Sequence, residues 1–155
     1  MTSGDQPSVD ELAELILRGE VFGGGTILDG PMGIDQMADV LREMAHPDFV
    51  TVMVAESGPP RESAGVEGFK ELLHDWISPY EKFRLEVEGV LAKDDKLVFL
   101  ARQVATTRHG GVQVTTESAS VWWQKEGLIS QAAFYLDRRA GLRAAGLDPD
   151  RPTGE

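Results

Sequence analysis

The stretch from Arg84 to Leu136 constrains the fold most, because it reads as four consecutive β-strands with little chain between them. Phe83, Leu85, Val87 and Leu91 fall on one side and Arg84, Glu86 and Glu88 on the other, the period of two that a half-buried strand requires. Lys93-Asp94-Asp95-Lys96 is too charged to be buried and marks a surface turn. Leu97 to Arg108 is rich in apolar, β-branched and small residues and runs into His109-Gly110-Gly111, where paired glycines supply the positive φ angles of a hairpin. Val112 to Gln124 returns at strand-favouring density of Val, Thr and Trp. Lys125-Glu126-Gly127 turns the chain again, and Leu128 to Leu136 closes the meander.

Turn length propagates the faces from strand to strand. A three-residue loop at His109 to Gly111 sets Arg108 opposite Val112, and a two-residue loop at Glu126-Gly127 sets Lys125 opposite Leu128. One face then carries Phe99, Ala101, Gln103, Glu117, Ala119, Val121, Trp123, Ala132, Phe134 and Leu136. The other carries Val98, Leu100, Arg102, Val104, Thr116, Ser118, Ser120, Trp122, Gln131 and Tyr135. The first has the larger aromatic and aliphatic content and is expected to face the helix-covered interior. The second mixes Ser, Thr, Arg and aromatics, which suits a partly polar interface.

At 155 residues the chain is expected to form one domain, residues 8–147, between a disordered lead (1–7) and a disordered tail (148–155). A net charge of -11 argues against a nucleic-acid surface, where phosphates need clustered Lys and Arg, and equally against an anionic membrane. The absence of cysteine excludes disulfides, thiolate metal sites and cysteine nucleophiles. Met1 to Asp5 lacks the basic-then-apolar pattern of a signal peptide, so a cytoplasmic protein is expected.

Ser8 and Glu11 have capping-box spacing, and Val9, Leu12, Ala13 and Ile16 form a helical stripe. Phe22 to Gly33, with Gly23-Gly24-Gly25, reads as a loop; it lacks the Walker and dinucleotide spacings. Ile34 to Ala45 predicts a helix ended by Pro47, Phe49 to Ala55 a short strand, and Glu56 to Ala64 a polar loop. Val66, Phe69, Leu72, Leu73, Trp76 and Tyr80 share one helix face, and Arg138 to Leu147 forms a short terminal helix. The order is α+β, with helices covering one sheet face.

That order, with His46-Pro47-Asp48-Phe49, Gly65-Val66-Glu67-Gly68, Trp76, Val121-Trp122, Glu126-Gly127-Leu128-Ile129, Tyr135-Leu136-Asp137 and Ala144-Ala145-Gly146-Leu147, resembles the SnoaL-like branch of the nuclear transport factor two superfamily. The resemblance spans about Ile34 to Leu147, and residues 8–33, the N-terminal helix and glycine-rich loop, resemble the family less well and look like an extension or insertion. It implies an α+β barrel: a cone of curved, mixed or antiparallel sheet (cystatin-like) with helices covering the concave face. The family includes polyketide cyclases, ketosteroid isomerases, dehydratases and epoxide hydrolases, which work without metal or organic cofactor through a carboxylate in an apolar cone. Desolvation raises such a carboxyl pKa and makes it a better base. The cyclases carry a His, Trp, Asp run on the last strand, and the corresponding places here hold Ala132, Ala133 and Phe134. Phe134 transfers no proton, so the resemblance does not carry the cyclase mechanism over.

Glu117 is the sharpest catalytic candidate on the residues themselves: a lone carboxylate on the expected inner face, with Gln103 across the hairpin. The bland alternative is that the sheet curls and Glu117 is solvated. Trp76, Tyr80, Phe99, Val121, Trp123 and Phe134 are the expected lining of an apolar pocket for a ring-containing ligand, against plain core packing. His46 reads as satisfying helix-terminal carbonyls, His74 as solvated and His109 as a turn residue; three dispersed histidines do not make a metal site. Arg102, Ser118, Ser120, Trp122 and Tyr135 read as a homodimer surface on the sheet back. Three functions follow from these readings. The first is a cofactor-free small-molecule-binding domain. The second is an isomerase, cyclase or hydratase (epoxide hydrolase) with Glu117 as base. The third is a dimerisation module.

Overall fold

The computed structural model describes residues 26–55 and 58–150. The expected helix after Ser8, the Gly23-Gly24-Gly25 run and the end of the tail lie outside the described residues. Seven strands form one sheet in the order β1-β4-β5-β6-β7-β2-β3. They are β1 (Thr26–Asp29), β2 (Ala45–Val54), β3 (Arg61–Ala64), β4 (Tyr80–Lys93), β5 (Lys96–Thr107), β6 (Gln113–Lys125) and β7 (Leu128–Tyr135). Three helices accompany them among the described residues: α1 (Gly30–Arg42), α2 (Gly65–Ile77) and α3 (Arg138–Ala144). All neighbouring strands pair antiparallel except β2 with β7. The result is the expected α+β cone.

The helices bury their apolar stripes on the concave face. Ile34, Met37, Ala38 and Leu41 of α1 and Phe69, Leu72, Leu73 and Ile77 of α2 join Phe83, Leu85, Leu97, Phe99, Ala101, Ala105, Trp122, Ile129, Ala132 and Phe134 in one core cluster. A second cluster lies on the convex face, where Val98 and Val121 meet Leu142 and Ala145 from α3 and the segment after it. Residues 118–122 of β6 are consequently buried on both faces.

Three boundaries differ from the sequence expectation. Within the stretch read as a loop from Phe22 to Gly33, Thr26–Asp29 pairs with β4 and α1 already begins at Gly30. Within the stretch read as a loop from Glu56 to Ala64, Arg61–Ala64 pairs with β2 as an edge strand, although its side chains are almost all exposed and carry no alternating apolar signal. His46-Pro47 lies in β2 rather than at a helix end, where the register shifts between Ala45 and Val50. A proline lacks the N–H that regular pairing needs, which fits an irregularity there.

The strand registers carry the larger correction. Thr106 pairs with Gln113 and Phe99 with Ser120, so the β5–β6 hairpin closes with four residues, Arg108 to Gly111, instead of three. Thr107 sets that length: its amide donates to the Val112 carbonyl at 2.9 Å, and its hydroxyl accepts from the Val112 amide at 3.0 Å and donates to the His109 carbonyl at 2.9 Å. One added residue turns every β6 side chain to the opposite face. The two-residue turn at Glu126-Gly127 is as expected, with positive φ at both positions and Lys125 opposite Leu128. A bulge between Trp123 and Gln124 then reverses the phase again, so Ala132 and Phe134 do face inward. A further bulge between Val87 and Gly89 sends Leu91 to the convex cluster, away from Phe83 and Leu85.

Candidate functional site

The inner face that the sequence reading assigned to a pocket is a packed aromatic network. Phe69 lies 6.4 Å from Phe49, 6.4 Å from Trp122 and 6.1 Å from Phe134, and Trp122 meets Phe99 and Phe134 edge-on, each at 5.8 Å. Between Trp76, Leu85, Ala101, Ser118, Ser120 and Phe134 there is a small void with no room for a water molecule. Among the described residues the buried polar ones are Thr51, Gln103, Ser118 and Ser120, all uncharged. The Trp122 indole donates to Ser120 Oγ at 2.9 Å and Ser118 Oγ donates to the Ala101 carbonyl at 3.4 Å, while Thr51 Oγ1 and Gln103 Oε1 have no partner among the described residues.

The open site lies at the end of the cone where β4 begins. β1 pairs with β4 only as far as Arg84, so Tyr80 to Phe83 project beyond it. A groove of about 680 Å³ runs there between the start of α1 (Gly30, Pro31), the end of α2 (His74, Ile77) and Tyr80 to Arg84 of β4, and it is completed by Val104, Thr106, Arg108 and Gln113. The half-buried Tyr80 ring stands 5.9 Å from Phe83, which stands 5.1 Å from Trp76, so the inner aromatic network reaches the groove through these side chains. Arg108 is fixed across the opening: its amide donates to the Pro79 carbonyl at 3.1 Å and its Nε to the Ser78 carbonyl at 2.9 Å. At the α2 side, His74 Nε2 lies 3.2 Å and Lys70 Nζ 3.6 Å from Asp35. The His74 hydrogen bond, helped by the nearby Lys70 charge, holds the Asp35 carboxyl below its usual range although the residue is exposed.

The expected site residues separate. Trp76 and Tyr80 stand half-buried at the groove end of the aromatic network, whereas Phe99 and Phe134 are core residues within it. Val121 and Trp123 pack against α3 on the convex face because of the hairpin register, so they line no inner pocket. Glu117 is on the convex face for the same reason; its side chain is 71% exposed and stands 3.9 Å from Arg138. The inward, desolvated carboxylate that an acid–base role for Glu117 required is therefore not formed, and Glu117 and Gln103 do not share a face. Gln103 does point inward and is buried.

The expected dimer face is also divided by the register. Ser118, Ser120 and Trp122 are buried on the inner side and form no outer surface, while Arg102 is exposed beside Glu86 and Tyr135 packs under α3, where burial raises its hydroxyl above the usual 10.0. His46 accepts a hydrogen bond from the Asp48 amide at 3.0 Å, a local strand contact, and His109 is exposed in its turn. Lys82, Arg84, Arg108 and Gln113 were not legible as site residues. The only trace is that Lys82 and Arg84 are neighbouring cations in an acidic chain.

A seven-stranded curved sheet with helices on its concave face and a groove at the cone's end defines a class, that of the nuclear transport factor two- and ketosteroid isomerase-like folds. Several solved structures share that fold with this chain. A protein from a Jannaschia species named as a SnoaL-like polyketide cyclase superposes with a TM-score of 0.56 at 19% identity, covering 79% of this chain and 82% of its own. A protein from Acidithiobacillus ferrooxidans named as a polyketide cyclase gives 0.56 at 18% identity, covering 94% and 98%. A protein from Catenulispora acidiphila with a ketosteroid isomerase-like fold, solved with trimethylamine, gives 0.52 at 13% identity, covering 76% and 85%. No protein-family model matches the sequence, and no curated protein matches it. The chain shares the fold of these structures. No helix among the described residues is long and apolar enough to cross a membrane.

Proposed function

We propose that this chain binds a small ring-containing molecule, and that the groove beside Tyr80 and Phe83 receives it. The observation that carries the reading is the groove's size, about 680 Å³, within the range of roughly 300–1,000 Å³ that small-molecule sites occupy. Tyr80 supplies a ring face for stacking and a hydroxyl, Ile77 and Phe83 supply an apolar floor, and Thr106 and Gln113 add hydrogen-bonding groups at the rim. The packed network behind the groove supports binding at its open end rather than in the middle of the cone, because the rings already fill one another's contacts. No observation favours Glu117 as a base.

A thermal-shift panel of mono- and bicyclic ring compounds tests the reading. Binding to the folded state stabilises by about 2.7 kcal/mol when ligand is at 100 times its Kd, so the midpoint should rise with concentration for at least one scaffold. Tyr80→Ala should remove that rise while leaving the unliganded midpoint within a few degrees. A concentration-dependent shift that survives Tyr80→Ala would place binding elsewhere, and a flat panel would count against the reading.

A further inference from the structure

The charge of the groove departs from that of the protein. The chain carries a net charge of -11, yet among the described residues the groove lining holds Lys82, Arg84 and Arg108 against a single carboxylate, Glu81. These cations come from two places in the sequence that the fold brings together. Lys82 and Arg84 leave the same face of β4, opposite Thr106 and Val104 of β5, and Arg108 enters from the β5–β6 turn.

Their partners distinguish them. Arg84 Nε is held 2.8 Å from Glu86 and is already neutralised, and the imidazole of His74 faces Asp35. Lys82 and Arg108 have no acidic partner among the described residues, and the carbonyl of Ser78 takes only the Nε of Arg108. That bond orients the guanidinium and leaves its two terminal nitrogens available, the geometry in which an arginine takes a carboxylate at two points. The apolar side chains Ile77, Tyr80 and Phe83 line the same groove.

Resting on the binding function proposed above, we propose that the groove selects a ring-containing carboxylate: the ring against Tyr80 and Phe83, the carboxylate between Lys82 and Arg108. Lys82 and Arg108 are the binding residues, and Arg84, paired with Glu86, makes no direct contact.

A matched pair of probes tests this: phenylacetate and its neutral counterpart phenylacetamide, titrated into the full chain and followed by protein-observed NMR. The acid should bind at least about fivefold more tightly than the amide at low ionic strength. The margin should shrink as salt is raised toward 1 M, where the Debye length falls to about 3 Å. Lys82→Gln, at an exposed position that leaves the fold intact, should cut the preference, and Lys82→Gln with Arg108→Gln should bring the two affinities together. Equal binding of acid and amide to the wild type would overturn the charge selection while leaving the groove as a binding site. An acid preference untouched by both substitutions would overturn the residue assignment. Failure of both probes to bind at millimolar concentration would overturn this inference, and the thermal-shift panel of other ring compounds then decides the proposed binding function separately.

Discussion

Replacing Gly141 with alanine probes the part of the fold on which the site assignment turns, the face to which β6 points. Gly141 lies within α3, and a Cβ built there would meet the Ala119 Cβ at 2.8 Å and Tyr135 side-chain atoms at 3.2 and 3.3 Å. The first contact is with a methyl group fixed to a strand backbone, so α3 must lift from the sheet to relieve it. Overpacking of this kind costs about 1–3 kcal/mol. Alanine gains roughly 1 kcal/mol over glycine from helix propensity, leaving a net loss of up to about 2 kcal/mol. Urea unfolding of the wild type, Gly141→Ala, Ala119→Gly and the double variant isolates the contact. Ala119→Gly opens the space, so the double variant should recover about 1–2 kcal/mol relative to additivity. The register expected from sequence alone points Ala119 into the cone, away from α3. Strict additivity, with Gly141→Ala stabilising by its propensity, would therefore refute the observed hairpin register and with it the outward placement of Glu117.

Two other perturbations bear on the site. Phe134→Ala should cost about 3–5 kcal/mol, because its ring is fully buried among Phe69, Trp76 and Trp122, whereas Glu117→Gln should stay within about 0.5 kcal/mol; chemical denaturation compares them directly. The Asp35 carboxyl titrates below its unfolded value of 3.8, so the unfolded chain binds its proton more readily than the folded one. Its stabilising contribution is thus present above the unfolded value and lost as pH falls through the folded one. Carboxyl NMR titration of wild type and His74→Ala should show the Asp35 midpoint moving back up in the variant, and an unmoved midpoint would remove His74 as the cause.

The helices and the meander were legible because their periodicities are local: Ile34, Met37, Ala38 and Leu41 reach one face of α1, and Phe69, Leu72 and Leu73 reach one face of α2, whatever else the chain does. The face of β6 was not, because it depends on a single residue of turn length. The paired glycines Gly110 and Gly111 announce a hairpin but do not say whether it closes around three residues or four; the Thr107 hydroxyl decides that, through contacts made only once the strands have met. The inward positions of Ala132 and Phe134 were nonetheless read correctly, since the bulge after Trp123 offsets the misread register before the chain reaches β7. Glu117, Val121 and Trp123 were thereby assigned to a pocket they do not touch, and Ser118, Ser120 and Trp122 to a surface they do not form. β3 escaped notice because an exposed edge strand leaves no alternating pattern. The groove was hidden for a different reason: Lys82 and Arg108 are ordinary surface residues in sequence and acquire meaning only when β4 and the β5–β6 turn come together.

Chemical-shift mapping of a bound ring compound on the isotope-labelled chain tests the central claim most directly, because it reports where binding occurs without assuming a reaction. The groove predicts saturable changes concentrated in the amides of Ile77, Ser78 and residues 80–84 and at Thr106, Arg108 and Gln113, with the Trp122 indole N–H, bonded to Ser120 inside the core, unmoved. Changes centred on the Trp122 indole and Gln103, with residues 80–84 silent, would place the ligand inside the cone and contradict the account.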